Sequence, residues 1–175
     1  LSEFCEEIKK TNINIIRPDI NKCFGDFCSK NKDFYYALGA IKNVGFESIS
    51  NIVNEREKNG KFKSIKDFLN RVNPKDINKL QLEGLTKAGA FDGIILNRRS
   101  FYDSIPNLIL KSKNIFENKS QYQIELFSEN YDDNEKIVDE KVEWKFQEKM
   151  LKEFETIGFY LSDHPLNQYK DIFDE

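Results

Sequence analysis

Side chains that bind metals or form disulfides are scarce in this sequence. Its 175 residues include three cysteines and a single histidine. Cys23 and Cys28 have four residues between them and no second pair that would complete a zinc site. His164 precedes Pro165 and has no accompanying nucleophile motif, so we expect a packed turn residue rather than a catalytic base. The sequence therefore predicts no metal site, no cofactor site and no catalytic residue.

Long apolar runs and phosphate-transfer motifs are also missing. No apolar run approaches the roughly 20 residues of a membrane span, and no secretory signal pattern opens the chain. The Gly60-Lys61 pair lacks the upstream glycine of a P-loop. No close acidic pair follows a predicted strand, as two-metal chemistry would require. We expect a cytoplasmic protein with no membrane partner, and the helical pattern that starts at Leu1 predicts a piece of a longer protein.

Charge is distributed unevenly along the chain, although the net charge is only −3. Residues 1–36 are neutral overall, residues 37–116 carry +6, and residues 117–175 carry −9. A mildly basic middle suits a polyanionic partner, but a charge of this size binds nucleic acid weakly without specific contacts.

The basic middle opens with two helical patterns joined by a short turn, at residues 37–56. Leu38 and Ile41 precede the turn, and apolar residues recur at helical spacing after it. Asn43 and Gly45, the residue types that best tolerate positive φ, flank Val44. This pattern predicts a helix-hairpin-helix whose amides point at a phosphate from a helix N-terminus. An ordinary helix–helix corner explains the spacing equally well.

A second, more degenerate unit follows roughly forty residues later, at residues 80–110. Leu80, Leu82 and Leu85 form its predicted core, and Ala88-Gly89-Ala90 form a small-residue turn before the next helix. Two such units predict an all-α, tandem helix-hairpin-helix block that follows the backbones of one duplex without reading its sequence.

Two other functions remain open from the residues alone. DNA glycosylases place a catalytic Asp some twenty residues after a similar hairpin, and Asp67 lies at that distance from Gly45. However, Asp67 also suits the first turn of a helix capped by Ser64, and too few helices precede Leu38 to form a base-flipping pocket. A plain helical interaction module is the other alternative.

The composition becomes polar after Lys111, and residues 112–141 have the signature of a flexible acidic loop. One apolar island interrupts it, at residues 123–127, and is either a linear peptide for a partner's pocket or a segment that folds back. A last helix is predicted at residues 144–159, with Phe146, Met150, Leu151, Phe154 and Ile157 on one face.

Several of these segments together resemble a known family. The segments are RPDIN, ALGAIKNVG, NKLQLEGLTKAGAFD, NRRSF, QIELF and FETIGFYLSDHPLNQY. In this order, and over nearly the whole chain, they are similar to bacterial DNA polymerase III alpha subunits, the replicative family C polymerases. The resemblance implies the end of the fingers at residues 1–36 and the hairpin block at 37–111. It further implies a clamp-binding loop at 112–141, and a helix and turn leading toward an OB domain at 142–175.

The resemblance also implies partners: duplex DNA, the sliding clamp (beta subunit) and other holoenzyme subunits. The nucleotidyltransferase activity and its Mg²⁺ would belong to a palm domain upstream of Leu1, so this stretch should not polymerise. The implied DNA contacts are Lys42, Asn43, Val44, Gly45, Lys87, Ala88, Gly89, Ala90, Arg98 and Arg99. The implied clamp contacts are Gln123, Ile124, Glu125, Leu126 and Phe127.

Two positions depart from the family pattern. Asn43 stands where the family usually has glycine, and we expect the turn to survive because asparagine tolerates its conformation. Glu125 stands where serine or aspartate is commoner in the clamp motif.

Substituting Gly45→Val is expected to block the turn geometry and weaken duplex binding.

Overall fold

The computed structural model describes residues 2–121, 138 and 141–163. Six α-helices and three short strands occur in these ranges. The helices are α1 (Ser2–Lys9), α2 (Phe46–Asn59), α3 (Ile65–Arg71), α4 (Lys79–Lys87), α5 (Arg98–Gln121) and α6 (Phe146–Ile157). The strands are β1 (Asn14–Ile16), β2 (Cys28–Lys30) and β3 (Asp33–Tyr35), and single 3₁₀ turns cover Leu38–Ala40 and Pro74–Asp76.

The prediction of an all-α fold is confirmed in part: the described residues are mainly helical, but a small sheet precedes the hairpins. Its order is β1-β3-β2, with β1 parallel and β2 antiparallel to β3. Each strand is only three residues long, too short for an apolar alternation to be visible in the sequence. The sheet continues into the hairpin region because the Tyr36 N–H donates to the Ile16 carbonyl at 3.0 Å.

Local signals placed the middle helices correctly. Ser64 begins α3, and its hydroxyl accepts a hydrogen bond from the Asp67 N–H at 3.1 Å. Asn78 caps α4 in the same way, through the Gln81 N–H. Serine and asparagine at these positions satisfy amides that the first helical turn leaves without partners.

A series of aromatic rings joins the elements of the helical block. Phe62, Phe68, Phe91 and Phe101 contact one another in sequence, with ring centroids 5.1, 5.3 and 5.1 Å apart. All four rings are buried. Such tilted and edge-on pairs add about 0.5–1.5 kcal/mol each beyond their buried area. This ladder packs α3, the loop after α4 and α5 into one core.

Three expectations about helix extent and burial differ from the structure. Helix α5 continues to Gln121, nine residues past the predicted start of the flexible loop at residue 112. Leu80 is exposed, whereas Leu82 and Leu85 are buried as predicted. Of the five residues predicted on one face of α6, Met150 and Ile157 are buried. The other three, Phe146, Leu151 and Phe154, are exposed. Helical spacing identifies a face, but it does not say how much of that face a neighbour covers.

Candidate nucleic-acid interface

The first hairpin joins the Leu38–Ala40 turn to α2. Asn43 has a positive φ of 67°, so the prediction that asparagine accommodates the turn is confirmed. Val44 lies between the turn and the helix and is buried in the core, as expected from its apolar side chain. Gly45 is the N-cap of α2 and has a φ of −75° and a ψ of 131°.

The reason given for Gly45→Val is therefore wrong. An extended backbone at Gly45 is open to any residue, and a Cβ there would meet only Ser48 Oγ, at 3.8 Å. Asn43 is the one residue of this hairpin with a left-handed backbone conformation. What Gly45 contributes is the absence of a side chain at the helix start.

The N-terminus of α2 is uncapped. Gly45 has no side chain that could cap the helix. From Gly45 onward, the first N–H with a backbone acceptor is that of Ile49, which donates to the Gly45 carbonyl at 3.0 Å. Among the described residues, no acceptor bonds the N–H groups of residues 46–48. Three free amides and the helix dipole together form a site that attracts an anion.

Lys42, four residues before the first residue of α2, adds a positive charge to the hairpin. Its side chain is exposed and forms no ion pair with any residue in the described part of the chain. One acidic side chain, Glu47, is exposed in the first turn of α2 and opposes the attraction in part.

Two neighbouring helices hold the hairpin loop in place. The Lys42 N–H donates to the carbonyl of Thr156 at the end of α6, at 2.9 Å. Gly84 in α4 packs so closely that an added Cβ would lie 2.7 Å from the Lys42 carbonyl oxygen. The loop backbone is thus fixed from both sides, whereas the Lys42 side chain is exposed.

The second hairpin loop is buried and offers no free amide to a ligand. Ala88, Gly89 and Ala90 are all buried, and Lys87 is half-buried. Their amides are used within the loop, because Ala88, Gly89 and Ala90 donate to the carbonyls of residues 84, 86 and 85. Gly89 takes a positive φ of 79°, which glycine allows without cost. The loop that the resemblance implies as the second DNA contact is therefore a buried connection between α4 and α5.

The N-terminus of α5, which follows this loop, is capped twice. Asn97 Oδ1 accepts from the Ser100 N–H at 2.8 Å. The two carboxylate oxygens of Glu143 accept from the N–H groups of Arg98 at 2.9 Å and Arg99 at 3.2 Å. Sequence reasoning missed Glu143 because it lies 45 residues from Arg98. The amides that α2 leaves open are closed in α5.

The pKa of Glu143 reflects this capping. Burial alone would raise it, but hydrogen bonds from the Arg98 and Trp144 N–H groups, together with Lys149, lower the pKa below its ordinary value. Glu143 is therefore held as a carboxylate at the helix N-terminus, where negative charge is stabilising.

The positive charges of the second hairpin are also compensated. Lys87 Nζ lies 2.9 Å from Glu155 Oε2, on α6. Burial lowers the pKa of Lys87, but the contact with Glu155 outweighs it and the pKa is raised. Arg98 binds both carboxylate oxygens of Asp92, at 2.7 and 2.6 Å. Arg99 is more exposed and lies 4.0 Å from Asp103.

Asp67, the residue that a glycosylase would use, is fully engaged in the fold. Its carboxylate accepts from the Lys63 N–H at 2.9 Å and from Arg71 Nη1 at 3.1 Å. Arg71 also bonds Glu55 and lies over the Phe62 ring. These contacts give Asp67 a structural role at the start of α3.

The clamp motif at residues 123–127 and His164 lie outside the described residues. The division into domains and the cytoplasmic location stay predictions. No helix in the described ranges is long and apolar enough to cross a membrane.

Comparison with known proteins identifies the family. A model described as "Helix-hairpin-helix motif" matches residues 12–101, just over half of the chain. The DNA polymerase III subunit alpha of Borreliella burgdorferi is 38% identical over 99% of this chain, and that of Campylobacter jejuni is 35% identical over 97%. The Caulobacter vibrioides subunit is 32% identical over 95%. The chain spans 16%, 15% and 14% of these three relatives, respectively. By these matches the chain resembles one stretch of DNA polymerase III alpha subunits and belongs to the helix-hairpin-helix motif family.

Proposed function

We propose that this chain binds duplex DNA through phosphate contacts as the non-catalytic, DNA-holding stretch of a replicative polymerase. One observation carries the proposal: α2 begins with free amides at residues 46–48, and the loop that leads into it carries the exposed Lys42, which forms no ion pair within the described ranges. A phosphate oxygen accepts from the amides, and the ammonium group neutralises the charge. No catalytic step is assigned to the chain.

The two hairpins have unequal roles in this proposal. The first binds phosphate through Lys42, the N–H groups of Asn43 and Gly45, and the start of α2, whereas the Val44 N–H donates to the Ile41 carbonyl at 3.1 Å. The second supports it: Ala88, Gly89 and Ala90 form the buried turn that ends α4, Lys87 pairs with Glu155 on α6, and α4 packs against the first loop through Gly84. Arg99 is the cation of the second unit that remains exposed enough to reach a phosphate.

Backbone phosphates carry no sequence information, so the binding should not depend on sequence. The test is a titration of the 175-residue chain with two labelled duplexes of equal length and unrelated sequence. We expect equal affinities and equal salt dependence. A preference of tenfold or more for one duplex would contradict phosphate-only binding, and no binding at low salt would remove the DNA function.

We also propose that residues 123–127 bind the sliding clamp. The support is the sequence alone: a Gln123 that hydrogen-bonds at a pocket edge, and the apolar anchors Ile124, Leu126 and Phe127. Each buried apolar anchor would contribute about 1.5–3 kcal/mol, offset by ordering of the segment. Such an affinity is weak alone and sufficient when DNA holds both partners together.

A peptide covering residues 119–133, titrated against a bacterial sliding clamp, tests this second proposal. Saturable binding that is lost in the Leu126→Ala, Phe127→Ala double variant would support it. Equal binding of both peptides, or of neither, would leave a plain helical DNA-binding module. Cleavage of a damaged base by the chain would instead favour a repair enzyme.

A further inference from the structure

Phe46, the first residue of α2, is a large aromatic side chain that no contact described above uses. It is 59% exposed, although it lies only two residues after the buried Val44. Isolated exposed apolar residues are normal on protein surfaces. Phe46 is of interest because it is the first residue of a helix whose N-terminal amides have no side-chain cap.

The Phe46 ring has a fixed seat made by two glycines. A Cβ added to Gly39 would lie 3.2 Å from Phe46 Cδ2, and one added to Gly25 would lie 3.2 Å from Cε2. The glycines themselves cross closely, because the Gly39 N–H donates to the Gly25 carbonyl at 3.0 Å. One edge of the ring therefore rests on bare backbone, and the remainder faces solvent.

The surroundings of Phe46 determine what could lie against it. The free amides of residues 46–48 and the Lys42 ammonium group attract an anion to the same end of α2. In duplex DNA every phosphate is flanked by deoxyriboses, whose C–H faces are apolar and exposed, whereas the bases are stacked and paired. A ring fixed beside a bound phosphate thus meets a sugar first.

We propose that Phe46 contacts the deoxyribose next to the phosphate held by the first hairpin, and that it adds a salt-independent contribution to duplex affinity. The inference rests on the proposed function of this hairpin. It assigns the apolar component of binding to one residue, and the ionic component to Lys42 and the helix N-terminus. The contact is independent of sequence, since every nucleotide carries the same sugar.

Measuring duplex affinity over a series of salt concentrations separates the apolar contribution of Phe46 from the ionic contribution of Lys42 and the helix N-terminus. Each phosphate neutralised by a cationic side chain changes the slope of log K against log salt by about 0.9, whereas an apolar contact leaves the slope unchanged. We expect Phe46→Ala to weaken duplex binding by about tenfold at every salt concentration, similar to the weaker of the losses known for rings that stack on bases. Phe46→Tyr, which keeps the ring, should bind within about twofold of the parent chain.

Leu80→Ala is the matched control, because Leu80 also lies in the first turn of a helix and is 57% exposed but belongs to α4. Its affinity should not change. Equal losses in both variants, no loss in Phe46→Ala, or a shallower slope in Phe46→Ala would each overturn the inference. A loss confined to single-stranded DNA would also overturn it, because the ring would then stack on a base.

The same series distinguishes this inference from the proposed function. If Lys42→Ala lowers the slope and Phe46→Ala has no effect, the hairpin binds phosphate and only the sugar contact is wrong. If neither variant has an effect, the hairpin does not contact DNA. Circular dichroism verifies folding, and Phe46→Leu replaces Phe46→Ala if the latter unfolds. Phe46→Leu should then show a smaller loss at an unchanged slope, and parent-like binding by it would overturn the inference.

Discussion

The backbone N–H of Lys42 donates a hydrogen bond to the carbonyl of Thr156 at 2.9 Å. These residues lie more than one hundred positions apart, and they join the first hairpin loop to the end of α6. Thr156 is buried, and its hydroxyl bonds back into its own helix. The acidic last third of the chain therefore supports the backbone of the basic hairpin and leaves its lysine side chain free.

The left-handed position of the hairpin predicts unequal effects at its two turn residues. Asn43→Val places a β-branched residue at a φ of 67° and should destabilise the fold by about 1–2 kcal/mol. Gly45→Ala, at a φ of −75° and with open space around its Cβ, adds no backbone strain and should cost only about 0.5 kcal/mol, because alanine is a poorer N-cap than glycine. Urea denaturation of the two variants measures the difference. A greater loss in Gly45→Ala would contradict the observed turn geometry.

The contact between α4 and the hairpin loop predicts a steric effect at Gly84. An added methyl group would lie 2.7 Å from the Lys42 carbonyl oxygen, so Gly84→Ala should cost about 1–3 kcal/mol and weaken duplex binding by displacing the loop. Gly93→Ala is the control, since nothing lies within 4 Å of its added Cβ. Thermal unfolding and duplex titration of both variants make the comparison. Equal stability in the two would show that the close approach is not needed.

The sequence predicted local structure better than it predicted which surfaces are free. Ser64, Asn43 and Val44 behave as their residue types dictate, because caps and left-handed turns depend on neighbouring backbone. The three-residue strands gave no periodic signal. The sequence could not show that Glu143 caps α5 or that Glu155 pairs with Lys87, because these contacts join distant segments. For that reason the two hairpins looked alike in sequence, whereas only the first is open in the structure.

The capping of α5 predicts a pH-dependent contribution from Glu143. Its pKa is lowered in the folded chain, so its stabilisation is present above the ordinary value of 4.5 and is lost as the pH falls through the lowered value. Glu143→Gln should lower the free energy of unfolding by about 1–2 kcal/mol at pH 7 and by little near pH 3.

Glu148→Gln is the control for this prediction, because its exposed carboxylate lies 3.8 Å from Lys152 in an ordinary helix pair. Pairs of this kind contribute about 0.3–0.5 kcal/mol. Chemical denaturation across the pH range should therefore show a difference for Glu143→Gln only. A pH-independent loss in that variant would contradict the carboxylate's role.

The most direct test of the account compares two lysines, one from each hairpin, in a salt series with a labelled duplex. Lys42 is exposed and unpaired within the described ranges, whereas Lys87 lies 2.9 Å from Glu155. We predict that Lys42→Ala lowers the slope of log K against log salt by about 0.9, and that Lys87→Ala leaves it unchanged. An unchanged slope in Lys42→Ala, or an equal decrease in both variants, would contradict the claim that the loop of the first hairpin, and not that of the second, presents the phosphate site.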